Sequence, residues 1–206
     1  MSKRVQPFDK LRARGFSSAP DGYGRDMAKA LTISTNYGVE QDELVVPVEE
    51  LTSHGVDVTV AAQSKEPIQT LVGDKDPGKV VQPTASLDDV DPGEFDVLIV
   101  PGGTLNADTL RQDDTALSII KDFAGNGRPV AAICHGPWAV LEAGAVKGKS
   151  LTSYASLQTD IRNAGGSWSD QSVVVDNTGG FTLITSRTPD DLKDFVGAIA
   201  EAIEVS

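Results

Sequence analysis

One cysteine and two histidines are all that this 206-residue chain holds of thiol and imidazole side chains. That count excludes an intramolecular disulfide and a thiolate metal cluster. No apolar run approaches the ~20 residues of a membrane-spanning helix, and the longest, such as Val97-Leu98-Ile99-Val100, have strand length. There is no Walker-type phosphate loop, no internal repeat and no low-complexity linker; Gly102-Gly103 lacks the glycine spacing of a dinucleotide fingerprint. Positive charge is scarce as well, 18 basic residues against 30 acidic ones, for a formal net charge of −12. A polyanion of this kind repels phosphate backbones, which argues against nucleic acid as a partner. These absences predict a soluble protein of a reducing compartment, the cytoplasm, with no membrane segment, no metal and no cofactor. They also leave Cys134 to be explained on its own.

What is present fits one globular domain. Hydrophobic residues make up 39% and charged residues 23%, a balance that supports a core. Residues 1–27 read as an N-terminal arm and 28–206 as the domain. Within the first 26 residues, Lys3, Arg4, Lys10, Arg12, Arg14 and Arg25 outnumber Asp9, Asp21 and Asp26, so the charge of the arm opposes that of the rest. The segment has no apolar stretch suited to a signal peptide. Met27 stands just before the first strand-like run, and an accessory arm and a start-site artefact remain open readings.

The domain alternates strand and helix signals. Ala30 to Thr35 predicts a strand, Val39 to Ser53 a helix closed by Gly55, and Val56 to Ala62 a second strand. Residues 67–92, rich in Gly, Pro, Asp and Val, predict short hairpin strands and loops. Phe95 to Val100 is a buried strand ending in Pro101-Gly102-Gly103. Asp108 to Ala124 has the spacing of one amphipathic helix, Pro129 to Ile133 of another buried strand, and Gly136 to Ala145 of a helix with Pro137 in its first turn. Ser150 to Ser153, Ser172 to Val175 and Phe181 to Thr185 follow as strands, and Asp190 to Ile203 as the closing helix. Near-continuous apolar strands alternating with helices imply an α/β fold with a mostly parallel sheet covered on both faces. Ligands of such sheets bind beyond the carboxyl ends of the strands, where both Gly102-Gly103 and Cys134 fall.

The segment Ala131-Ala132-Ile133-Cys134-His135-Gly136-Pro137 carries the chemistry. An apolar strand runs into a Cys-His pair, and Gly-Pro then opens a helix, the arrangement of a nucleophile elbow. A helix N-terminus behind the sulfur favours a thiolate. The amides of His135 and Gly103 are the candidate oxyanion donors. A lone cysteine is elsewhere more often a small buried hydrophobe, but its place at a strand end before His and Gly-Pro favours a reactive group.

These motifs resemble the ThiJ/PfpI family of intracellular cysteine hydrolases and deglycase-like stress proteins, within the class I glutamine-amidotransferase-like superfamily. The resemblance covers about residues 28–204. It rests on Glu43-Leu44-Val45-Val46-Pro47, on Phe95 to Gly103, and on Ala132 to Pro137. Gly148, Thr152-Ser153-Tyr154, Asn163 to Gly166 and Thr185-Ser186-Arg187 extend it. It implies a flavodoxin-like three-layer sandwich, Cys134 as nucleophile, and Glu43 as the glutamate that hydrogen-bonds the sulfur. A carboxyl beside a thiolate has to be protonated, or the charges repel. His135 is the implied general base. In PfpI-like members its orienting acid comes from the loop after the Gly-Gly turn, often across a subunit interface, which implies a homodimer or higher homo-oligomer. The matching position is Asp108, where aspartate replaces the usual glutamate in a loop one residue longer; its alternative is a helix N-cap. Tyr154 and Trp138 are candidates to line the pocket or simply to pack. His54, before Gly55, fits a helix C-cap.

Two functions compete. The first is a cysteine hydrolase, glyoxalase or deglycase acting on a small-molecule or peptide substrate, its thiolate attacking the carbonyl of a peptide, an amide, methylglyoxal or a glycated adduct. The second is a redox-sensing or chaperone-like stress protein working through oxidation of Cys134. Relatives known mainly as oxidation sensors lack a histidine after the cysteine, so His135 favours the enzyme. A glutamine amidotransferase subunit is disfavoured, because no later His-x-Glu pair follows: His135 is the last histidine.

Overall fold

The structure is a computed structural model and describes residues 27–204, so the expected arm, apart from Met27, lies outside the described residues. In chain order the strands are β1 (Lys29–Ile33), β2 (Tyr37–Glu40), β3 (Asp57–Ala62), β4 (Ile68–Val72), β5 (Asp76–Val81), β6 (Ala85–Ser86), β7 (Val97–Val100), β8 (Val130–Ile133), β9 (Ser150–Leu151), β10 (Ser167–Trp168), β11 (Val173–Asp176) and β12 (Leu183–Ser186). The α-helices are α1 (Gln41–Ser53), α2 (Thr104–Leu110), α3 (Asp114–Gly125), α4 (Pro137–Glu142), α5 (Gln158–Asn163) and α6 (Leu192–Ala202).

Seven strands form the central sheet in the order β11-β12-β8-β7-β1-β3-β6. Neighbours run parallel except at the edge, where β12 pairs antiparallel with β11. Because side chains alternate across a strand, each central strand feeds two cores. Leu31, Ile33, Leu98, Val100, Val130 and Ala132 face one side, packing on Leu110, Ile119, Ile120, Phe123 and Val140. Ala30, Val97, Ile99, Ala131 and Ile133 face the other, against Leu51 of α1 and Phe195, Val196 and Ile199 of α6. This is the three-layer α/β sandwich expected from the sequence. The strands have no polar face because helices cover both sides.

Outside the central sheet, β2, β4 and β5 form a three-stranded sheet and β9 pairs with β10. Helix α5 and strand β10 stand where the sequence predicts no element, and two further elements depart from the sequence reading. The expected helix over 39–53 starts two residues later, since Tyr37–Glu40 is strand β2, paired with β4. The expected single helix over 108–124 is two. Asp113 breaks the run by capping α3, its Oδ1 accepting from the amides of Thr115 and Ala116 at 3.0 Å each. A cap satisfies the orphan amides of a helix start, and the apolar spacing of α2 and α3 is continuous enough to hide it.

Candidate active site

The carboxyl ends of β7 and β8 lie side by side, and the site is built where the chain leaves them. After Ile133 the backbone turns abruptly: Cys134 has φ +60, a left-handed conformation that side-chain-bearing residues rarely adopt. The turn is fixed on both sides. The Cys134 amide donates to the Ser186 carbonyl at 3.0 Å, and its carbonyl accepts from the Tyr154 amide at 2.9 Å. Strain persists only where the surroundings over-determine it. Here it presents the sulfur at the strand end, with Cys134 only 7% exposed.

Glu43 reaches the sulfur from the first turn of α1 and is fully buried. Its Oε2 accepts from the Gly102 amide at 2.7 Å. The carboxyl also interacts with the Cys134 thiol, yet nothing at ordinary hydrogen-bond geometry satisfies Oε1. Burial, which disfavours the charged form, pushes the Glu43 pKa up to about 8. The glutamate therefore carries its proton at neutral pH. The Gly-Gly turn is dictated by crowding. A Cβ on Gly102 would stand 2.7 Å from Glu43 Oε2 and 2.8 Å from the backbone nitrogen of His135, while Gly103, at φ +81, is pressed against Gly38 and Glu40 of β2.

Burial also pushes the Cys134 thiol up, reinforced by the charge and hydrogen bond of Glu43; the amides of His135 and Gly103 pull the other way. The pull of a helix terminus toward the thiolate is thus opposed by burial and by Glu43. Helix α4 has only six residues, a short dipole set against full desolvation. The two amides that act on the sulfur are the two expected as oxyanion donors.

His135 is 6% exposed. Its Nδ1 lies 3.3 Å from Cys134 Sγ and its Nε2 3.3 Å from Ser156 Oγ. The ring stacks on Tyr154 at 4.6 Å between centroids and leans on Trp138 at 5.2 Å. Burial lowers its pKa, opposed by the charge of Asp74. A neutral imidazole beside a protonated thiol is the state in which it can take the sulfur's proton. Tyr154 is 43% exposed and so caps the ring on the solvent side. Trp138 is anchored by its Nε1, which donates to Asp160 at 2.9 Å.

Cys134, His135, Glu43 and Gly103 thus converge, with Tyr154 and Trp138 around the imidazole. Asp108 does not join them within this chain. It lies exposed inside α2, where its carbonyl accepts from Gln112 Nε2 at 2.8 Å. Its alternative reading as an N-cap is overturned, because α2 begins at Thr104 behind Gly103. His54 is the C-cap of α1, as expected.

Three residues escaped the sequence reading. Asp74, at φ +59 on the β4–β5 turn, accepts from the Thr104 amide at 2.7 Å and from its hydroxyl at 2.6 Å. Asn106, fully buried, accepts from the Thr35 amide at 2.8 Å and donates to the Gly102 carbonyl at 2.9 Å, tying the ends of β1 and β7 together. Ser156 meets the far nitrogen of His135. Only Asp74 carried a signal, the Gly73-Asp74 turn dipeptide; the others look like ordinary surface polar residues in the sequence. Among the described residues no three His, Cys, Asp or Glu side chains are grouped as a metal set would need.

Comparison with known proteins adds four findings. The family model described as "DJ-1/PfpI family" matches residues 28–202. The chain is 37% identical to "Protein/nucleic acid deglycase 2" of Escherichia coli (strain K12) over 169 residues, which is 82% of this chain and 94% of that one. It is also 37% identical to "Deglycase PfpI" of Pyrococcus furiosus over 164 residues, 80% of this chain and 92% of that one. Among solved structures, Drosophila melanogaster DJ-1beta superposes with a TM-score of 0.76 at 31% identity, covering 86% of this chain and 90% of its own.

Proposed function

Because the chain belongs to the DJ-1/PfpI family, we propose that it is a deglycase-like cysteine hydrolase in which Cys134 attacks a carbonyl carbon of a small-molecule or peptide substrate. The observation that carries this reading is the strained Cys134, held between Glu43 and the amides of His135 and Gly103. As the C–S bond forms, the sulfur's proton passes to His135 Nδ1 and the carbonyl π pair moves onto oxygen, facing the two amides. With an amide substrate, the C–N bond then breaks and His135 returns the proton to the departing amine. Water, giving a proton to the same imidazole, attacks the thioester; the C–S bond breaks, the acid leaves and the imidazole returns the proton to the sulfur. With methylglyoxal, whose aldehyde is free, His135 passes the proton to the new alkoxide and the first product is a hemithioacetal. With an adduct whose aldehyde carbon already carries the amine, attack on the remaining ketone gives a hemithioketal. Relatives named deglycases support the carbonyl-adduct class.

We further propose that two copies assemble so that Asp108, exposed on α2, reaches His135 of the other copy, and that the protein is cytoplasmic. No helix of the described residues is long and apolar enough to cross a membrane. The test is turnover of peptides, methylglyoxal and glycated amines by wild type and Cys134→Ala. Turnover of at least one class, lost on the order of 10³-fold or more in Cys134→Ala, is expected; equal rates would sink the reading. In the same assay, mixing Cys134→Ala with Asp108→Asn subunits should restore part of the activity if the site is shared. No restoration, or an Asp108→Asn protein with full turnover, would end the sharing.

One observation favours a second reading, the unsatisfied Oε1 of Glu43. A sulfinate on Cys134, formed by two successive peroxide oxidations with release of water, would accept a hydrogen bond from a protonated Glu43. Stoichiometric sulfinate after mild peroxide, in a protein with no turnover of any substrate class, would make the chain a sensor.

A further inference from the structure

The β4–β5 turn belongs to neither core, yet two carboxylates tie it to the residues around the site. Glu40, the last residue of β2, accepts from the Gly73 amide at 2.9 Å and so pins the turn to the strand that leads into α1. The next residue returns the tie: both Asp74 oxygens are taken up by Thr104, one by its amide and one by its hydroxyl. Thr104 directly follows Gly103, whose amide faces the Cys134 sulfur. Gly103 itself has no side chain to hold it, and α2 begins on it without a side-chain cap of its own. A residue distant in sequence therefore supplies the acceptor that the chain lacks at this point. It does so from a left-handed conformation, φ +59, that aspartate and asparagine tolerate better than other side-chain-bearing residues.

We propose that Asp74 is a positioning residue of the thiol site: it clamps the Gly103–Thr104 segment that carries one of the two amides facing Cys134, and it sets a fixed negative charge at the mouth of the site. This role deepens the reading of Cys134 as a nucleophile and rests on it. The titratable groups around the turn are Glu40 on β2, Asp42 and Glu43 on α1, His135 at the elbow, Lys75 of the turn itself and Asp76 at the start of β5. The Asp74 charge raises the proton affinity of both Glu43 and His135. Removing it lowers both, so the two limbs of a bell-shaped activity profile move together toward lower pH. The acid limb needs a neutral His135 and the alkaline limb a protonated Glu43.

The experiment separates this role from the function it serves by reading the site without turnover. Asp74→Asn keeps an acceptor and the left-handed backbone but drops the charge; Asp74→Ala drops the clamp. Proton NMR titration of the two histidines, with His54→Ala for assignment, should show the His135 midpoint moving down by about half a pH unit in Asp74→Asn. The Gly103 amide resonance should shift in Asp74→Ala, with kcat/KM down on the order of 10-fold and KM little changed. An unmoved His135 midpoint overturns the charge role, and an unshifted Gly103 amide overturns the clamp. If wild type turns over no substrate, the proposed enzyme fails, while both NMR readings still decide the place of Asp74.

Discussion

Lys149 and Glu43 are both charged residue types taken almost wholly out of water, and their surroundings differ. The Lys149 ammonium lies 3.9 Å above the Phe181 ring. It donates to the carbonyls of Phe181 at 2.6 Å, Asp176 at 3.3 Å and Thr178, and pairs with Asp176 at 3.7 Å. Asp176 is held in turn by the Ser150 amide at 2.6 Å and the Thr178 amide at 2.7 Å. Every proton of that ammonium has an acceptor, so the cluster pins the loop between β11 and β12 to the start of β9. Glu43, just as buried, has one oxygen engaged and one left over, beside a thiol that is itself displaced from its ordinary proton affinity. A buried polar group with its bonds complete stabilises a fold. Glu43 has capacity to spare beside the strained Cys134, as groups at functional sites often do. The two residues differ in saturation, not in burial.

The strongest way to break this comparison is Lys149→Met. Removing one partner of a buried pair leaves carbonyl oxygens and Asp176 uncompensated, at a cost of about 3–5 kcal/mol. Urea unfolding should show that loss, while the alkylation rate of Cys134 in the folded protein stays as in wild type. A loss below ~1 kcal/mol would mean the cluster does not hold the loop.

Glu43→Gln should give a smaller effect, of opposite sense and dependent on pH. The Glu43 pKa rises from its ordinary 4.5 to about 8 on folding, so the folded state favours the protonated form. That contribution is complete below pH about 4.5 and is lost as pH rises through about 8. At ~1.4 kcal/mol per unit the ceiling is near 5 kcal/mol, and relaxation around the charge should bring it to roughly 3. Glutamine does not titrate, so the variant should gain on wild type across that window. Parallel urea midpoints against pH would check it, and equal pH slopes would mean that Glu43 titrates normally.

The finest distinction concerns Ser156, which is exposed and meets His135 at 3.3 Å. Water can take the place of its hydroxyl, so Ser156→Ala should change stability by less than ~0.5 kcal/mol and kcat/KM by only about threefold. A loss as large as that of a catalytic group would place Ser156 inside the chemistry.

Much of the site was legible because it is local. Cys134, His135 and the glycines that crowd them follow one another along two strand ends, and an apolar strand breaking into Cys-His-Gly-Pro has few structural meanings. Glu43 could be assigned only through family resemblance, since nothing in its own helix separates it from Glu49 or Glu50. The break between α2 and α3 was missed because Asp113 caps without disturbing the apolar spacing. Asp74 and Asn106 were missed for a different reason: their partners, Thr104 and Thr35, are 30 and 71 residues away.

The sequence by itself determined the layers, since an apolar run buried on both faces has only a covered parallel sheet to go to. It also determined the elbow, whose turn is made by adjacent residues. Tertiary structure alone decided the proton affinities. These depend on desolvation and on charges from β2, α1 and the β4–β5 turn meeting around one sulfur, and no local pattern encodes a distance between segments that far apart.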